Sequence, residues 1–191
     1  MIVETSRMLL RPVDRRDVDH LVRLDSDPEV MRFVTGGTAT PRSTIEGFVV
    51  PRAEAELQTG RGGIWTATDR RYGEFLGWVS LRAPRHSVQP ELELSYRLRR
   101  EYWGRGLATE AARVVTDVAF AEFDAQRLFA STTATHASSR RVMEKLGMRM
   151  CARDACTDPA GAGEPEVEYE MLRRHWEISG ARYGAATDLT A

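Results

Sequence analysis

The chain has no asparagine and a single lysine, Lys145, among its 27 basic residues. We read this as GC-rich coding rather than as function. Cysteine is scarce: Cys151 and Cys156 stand five apart, with no second pair and no clustered histidines. A zinc site needs about four ligands, so no metal is expected. Reduced thiols in a cytosolic protein are the better expectation, with a disulfide left open. Neither charge is in excess, since 27 basic and 28 acidic residues leave a net −1. This argues against a nucleic-acid binder that relies on bulk positive charge, so no nucleic-acid partner is expected. No apolar run approaches the roughly 18 residues a membrane helix needs. Nor do Met1 to Arg7 hold a basic segment followed by an apolar stretch. Neither a membrane span nor a secretory signal is expected, and the cytoplasm is the expected location.

What remains is a chain of 191 residues, 42% of them hydrophobic. That length suits one domain, able to bury about 70% of the surface its unfolded chain exposes. The domain is expected over residues 1–178, and the small, polar residues 179–191 are expected to be a disordered tail.

The pattern alternates strands and helices. Ile2 to Arg11 reads as one strand stopped by Pro12, and Asp14 offers a cap for a helix carrying Val18, Leu21 and Val22. Asp27-Pro28 breaks that helix, and a further helix begins near Ser43. Strands follow over Ile64–Asp69 and Glu74–Arg82. Glu91 to Leu98 alternates cleanly, with Leu92, Leu94, Tyr96 and Leu98 on one face and Glu91, Glu93, Ser95 and Arg97 on the other. From Leu107 to Phe123 the apolar residues fall at helical spacing, with Thr109, Glu110, Arg113, Thr116 and Asp117 on the opposite face. Leu128–Thr135 is a strand, Ala137–Leu146 a helix ended by Gly147, and Met148–Ala155 with Glu166–Leu172 a closing hairpin. The class is mixed α/β.

Chemistry enters at Tyr102-Trp103-Gly104-Arg105-Gly106-Leu107-Ala108-Thr109-Glu110-Ala111, between a strand and a long helix. Two glycines one residue apart let the backbone turn sharply and present successive N–H groups. With the positive end of the following helix they form a cradle for phosphate oxygens. The turn lacks the Lys-Ser/Thr pair of a P-loop and the third glycine of a dinucleotide fold. Taken alone, such a turn also serves as a plain tight connection.

Together with Glu93-Leu94-Ser95-Tyr96-Arg97-Leu98, this stretch resembles the central motif of the GNAT superfamily of acyl-CoA-dependent N-acetyltransferases. It is similar in particular to the branch that includes the RimJ/RimL-type ribosomal-protein N-terminal acetyltransferases, a branch that acetylates many different amines. Glu4-Thr5-Ser6-Arg7-Met8-Leu9-Leu10-Arg11-Pro12 resembles that branch's opening strand, and Ser139-Arg140-Arg141-Val142-Met143-Glu144-Lys145-Leu146-Gly147-Met148 its late helix and turn. The similarity runs through residues 3 to 175. It implies a mostly antiparallel, splayed sheet of about seven strands flanked by helices, with acetyl-CoA in the splay. It also implies pyrophosphate on the backbone of Gly104, Arg105, Gly106, Leu107, Ala108 and Thr109, and pantetheine along Tyr96, Arg97 and Leu98. Such an arm carries amides and can pair with an open strand edge as a peptide does.

Three positions depart from the family pattern. Trp103 replaces a common Gln or Arg. His136 stands where an Asn contacts the pantetheine region. Met143 replaces a tyrosine that in many relatives protonates the leaving thiolate, and Met cannot donate a proton. Acetyl transfer needs a neutral amine, hence a base. Glu93 and Glu91 are the candidates, with solvated sheet residues as the plain alternative. Ser139 is the candidate partner of the cofactor sulfur, or an ordinary first-turn serine. The expected enzyme moves acetyl from acetyl-CoA to a primary amine, a protein N-terminus or a small molecule, by direct attack in a ternary complex. It works as a monomer or homodimer. The alternative is a catalytically silent acyl-CoA-binding module.

Overall fold

A computed structural model of the protein describes residues 1–58, 62–84, 89–154 and 165–179. Its centre is an eight-stranded sheet in the order β1-β2-β3-β4-β5-β6-β8-β7. The strands are β1 (Val3–Glu4), β2 (Met8–Pro12), β3 (Gly63–Asp69), β4 (Phe75–Arg82), β5 (Glu91–Leu98), β6 (Arg127–Thr133), β7 (Arg149–Asp154) and β8 (Glu166–Leu172). All neighbours run antiparallel except β5 and β6, which are parallel. Eight strands replace the expected seven because the opening segment is not one strand: it breaks at Ser6-Arg7, where β1 turns back onto β2. The tail after Ser179 and the loop joining β7 to β8 lie outside the described residues. Among the described residues no helix is long and apolar enough to cross a membrane.

One face of the sheet carries α1 (Val18–Asp25), α2 (Pro28–Thr35), α3 (Arg42–Thr44) and α4 (Val50–Gln58), with a π-helical turn at Ile45–Val49 between the last two. Local chemistry sets the boundaries. Asp14 and Asp17 form a capping box ahead of α1, and Asp17, fully buried, takes two hydrogen bonds from Arg11 at 2.8 and 2.5 Å. Asp27 caps α2 by accepting from the Glu29 amide, Pro28 occupies its first position, and Gly36 closes it. Leu21, Leu24, Val30, Ile45, Val50 and Ala53 pack against Ile64 and Phe75.

The other face carries α5 (Leu107–Ala121), α6 (Ala137–Leu146) and α7 (Arg173–Ser179). The last was not expected from the sequence. Helix α5 buries Ala111, Ala112, Val115, Val118, Ala119 and Phe120 on Leu81, Leu92, Leu94 and Leu128. Its alanines keep the helix close to the sheet. Thr116, expected on the outer face, is buried; its hydroxyl donates to the Ala112 carbonyl at 2.8 Å, which removes the cost of hiding it.

Candidate active site

The site is built around β5. This strand pairs with β4 from Glu93 to Leu98, but with β6 only at Glu91, Leu92 and Glu93. Beyond Glu93 the two parallel strands part, so Leu94 to Leu98 carry no partner strand on that edge among the described residues. The opening joins the two faces of the sheet. A cavity of about 360 Å³ lies against it, lined from β5 by Tyr96, Arg97 and Leu98. Gly104, Gly106, Leu107, Ala108 and Thr109 line it from the turn and α5, and His136 and Ser139 from the start of α6. Sequence reasoning named all ten. Arg105, also named, turns away: its guanidinium lies over the Tyr102 ring, 5.5 Å from the centroid.

The turn fits a pyrophosphate. Gly104 and Gly106 hold φ values of +73° and +76°, which side chains resist. No atom lies within 4 Å of the place where a Cβ on Gly104 would stand. Gly106 is the N-cap of α5 and offers no side chain to its first amides, so those donors remain for an outside anion. Arg141 and Lys145 line the same cavity. Trp103, a departure from the family pattern, anchors the turn by donating from its indole to the Leu98 carbonyl at 2.8 Å.

On the wall formed by α6, the Tyr96 hydroxyl lies 3.0 Å from both the carbonyl and the hydroxyl of Ser139. Burial pushes the Tyr96 phenol up to about 12, so it stays an O–H group at any working pH. Met143 has no exposure; it belongs to the core and does not face the cleft. The His136 ring stacks on Phe33 of α2, with centroids 3.9 Å apart, and its Nδ1 lies 3.1 Å from the Thr132 hydroxyl. Burial holds this imidazole below its ordinary pKa, which favours the neutral ring.

The polar residues of β5 project to the face carrying α1 and α2. Arg97 pairs there with Asp25, which is 7% exposed, and its guanidinium lies 5.1 Å from the Trp78 ring centroid. Its charge is thus neutralised in packing α1 onto the sheet. Glu91 is bound to Arg127 at 2.8 Å, and Arg127 also holds Glu168 and Glu170. Burial opposes the Arg127 charge, but those carboxylates outweigh it and hold the guanidinium firmly protonated. The half-buried Glu93 side chain makes no hydrogen bond or ion pair among the described residues. It stands where β5 and β6 part, opposite Phe129. The two candidate glutamates, of which Glu93 stands at the acidic position of the family motif, are therefore in different situations. Cys151 is exposed, with its Sγ 3.3 Å from a Glu168 carboxylate oxygen, and burial followed by that carboxylate pushes its thiol up. Cys156 lies outside the described residues.

Sequence reasoning missed Phe33, Arg141 and Lys145 on the cavity wall, and a pair of side chains behind the turn. Glu110 and Arg7 meet behind the turn, 103 residues apart, where no local pattern connects them.

The sequence model of the family described as "Acetyltransferase (GNAT) domain" matches residues 7–149. The chain belongs to the GNAT acetyltransferase family. Its relatives include the FsC-acetyl coenzyme A-N(2)-transacetylase of Aspergillus fumigatus, 29% identical over 91% of this chain and 77% of that protein. The spermidine N(1)-acetyltransferase of Escherichia coli is 28% identical over 72% of this chain and 70% of that one. Among solved structures, the RimL ribosomal L7/L12 α-N-protein acetyltransferase in complex with coenzyme A superimposes with a TM-score of 0.78. It covers 90% of this chain and 98% of its own at 14% identity, a likeness of fold. Like other GNAT proteins, this one is an acetyl-CoA-dependent acyltransferase that acts on amines.

Proposed function

We propose that the protein transfers acetyl directly from acetyl-CoA to a primary amine, with both bound together, in the manner of the RimJ/RimL-type enzymes it resembles. The observation that carries this reading is the parting of β5 and β6 at Glu93. The phosphate turn and Ser139 lie on the α5–α6 side, Glu93 projects to the α1–α2 side, and the opening connects them. The free edge of Leu94 to Leu98 supplies backbone partners for the pantetheine amides. The cofactor brings an activated acetyl thioester; the chain's own residues do the rest. Glu93 takes a proton from the acceptor ammonium, directly or through water. Ser139 and Tyr96 face the sulfur.

The Tyr96–Ser139 pair acts as a hydrogen-bond donor and not as an acid. A phenol held at about 12 would have to protonate a thiolate whose thiol lies near 8.5, uphill by roughly 3.5 pKa units or ~5 kcal/mol. A donated hydrogen bond stabilises the departing thiolate without that penalty. Ser139→Ala is therefore expected to lower kcat only about tenfold, with acetyl-CoA affinity little changed. Full activity in that variant would remove Ser139 from the reaction. Restoring the family tyrosine at position 143 is not expected to help: Met143 is fully buried, and the larger ring would overpack the core.

Initial rates at varied acetyl-CoA and amine test direct transfer. Intersecting lines, with no protein-bound acetyl after incubation with acetyl-CoA alone, are expected. Parallel lines with a trapped acetyl-enzyme would replace direct attack by a covalent intermediate.

A further inference from the structure

We propose that Arg7 and Glu110 are positioning residues for the cofactor, which hold the Gly104–Gly106 turn so that its amides face the cleft. The inference rests on the acetyl-CoA reading above and adds the device that orients the turn. Glu110, in the first turn of α5, accepts from the Ser6 hydroxyl at 2.9 Å, from the Arg7 amide at 3.0 Å and from Arg7 Nε at 2.7 Å. The same guanidinium lies 2.6 Å from the second carboxylate oxygen through Nη2 and donates from Nη1 to the Arg105 carbonyl at 2.9 Å. One planar fork thus spans a carboxylate on α5 and a carbonyl inside the turn, which the point charge of a lysine cannot do.

Peptide geometry carries the consequence. In a trans peptide the C=O and the following N–H point in opposite directions. Arg7 lies behind the turn, lining a separate cavity with Arg105 and Leu107, and takes no part in the cofactor cleft. Drawing the Arg105 carbonyl back onto Arg7 therefore aims the Gly106 N–H forward, at the cavity where the phosphates would lie. Burial raises the Glu110 carboxyl, but the hydrogen bonds from Thr5, Arg7 and Ser6 outweigh it and hold the group ionised. The Arg7 side chain is 47% exposed, so the pair adds little to global stability, and its loss need not unfold the chain.

Calorimetric titration with coenzyme A tests this on the full chain. Arg7→Lys and Glu110→Ala should each weaken coenzyme A binding about tenfold, with the loss appearing in KM for acetyl-CoA rather than in kcat. Amides 104–109 of the free protein should exchange faster with deuterium in both. The exchanged pair Arg7→Glu/Glu110→Arg separates the two contacts. It can restore an ion pair, but a carboxylate at position 7 cannot donate to the Arg105 carbonyl, so affinity should stay low. Wild-type affinity in both single variants, or full recovery in the exchanged pair, would overturn the proposal. Wild-type affinity in Gly106→Val would overturn the cofactor site itself, and the clamp with it.

Discussion

Replacing Glu93 with glutamine is expected to lower turnover about 10²- to 10⁴-fold at neutral pH, the range a positioned general base contributes. Glutamine keeps the size and the acceptor oxygen of the side chain but cannot hold a proton. The effect belongs to Glu93 because, among the described residues, its carboxylate has no partner where β5 and β6 part. Glu91, two residues earlier on the same face, is committed to Arg127. Glu91→Gln should instead loosen the sheet around β6 and β8 and cost turnover far less. The pH dependence separates proton removal from positioning. Below the acceptor's own pKa most amine is ammonium and the base is needed; above it the amine attacks unaided. The deficit should fade above about pH 8 for a peptide α-amine and persist to about pH 10 for an alkylamine. Profiles of kcat/KM for the two proteins, run with each kind of amine, check this. A deficit of constant size across pH would make Glu93 a positioning group and leave the base unassigned.

Gly106→Val is expected to weaken coenzyme A binding about 10- to 100-fold in a chain that still folds. The sequence alone suggests that the added methyls would block a phosphate. The structure gives a different cause. A Cβ on Gly106 would meet only Arg7 Nη2, at 3.7 Å, an ordinary contact. The difficulty is φ, since +76° is open to glycine and strongly disfavoured for a β-branched residue. Valine would pull the backbone toward negative φ and swing the turn's amides off the cleft. Each charge-assisted hydrogen bond lost there is worth roughly 1.5–3 kcal/mol. Gly106→Ala should fall between the two. Calorimetry beside circular dichroism checks the order; three equal affinities would place the phosphates elsewhere.

Much of the fold was legible because it rests on local period. The alternation from Glu91 to Leu98 put the right residues on each face of β5, and Gly104-Arg105-Gly106 before an apolar-striped helix marked the turn. What escaped depends on contacts between distant segments. The opening stretch reads as one strand because apolar Ile2-Val3 and Met8-Leu9-Leu10 flank Glu4 to Arg7 with no glycine or proline between them. Its break is a turn in which the Thr5 amide donates to the Met8 carbonyl and the Met8 amide to the Thr5 hydroxyl, braced from a distance by Glu110. Glu91 and Glu93 share a face by spacing, and only the family motif favours Glu93; the pairing of Glu91 appears when β6 delivers Arg127 to it. The strand places Arg97 at the cavity, but its side chain's partner, Asp25 of α1, lies 72 residues away and is invisible to local pattern. Tyr96 was placed by its strand, but its hydroxyl gained a use only from Ser139, 43 residues on. Thr116 was misassigned because spacing reports a face and not the side chain's own hydrogen bond.

The most direct measurement of the central claim is the release of free thiol from acetyl-CoA in the presence of a panel of amines, followed by mass spectrometry of each amine. The panel should span peptides with free N-termini, polyamines and amino acids. Thiol release that depends on one class of amine, matched mole for mole by its acetylated product and abolished by dialysing that amine away, is the expected result. Tight coenzyme A binding with no amine-dependent thiol release across the panel would contradict catalysis and leave a silent acyl-CoA-binding module.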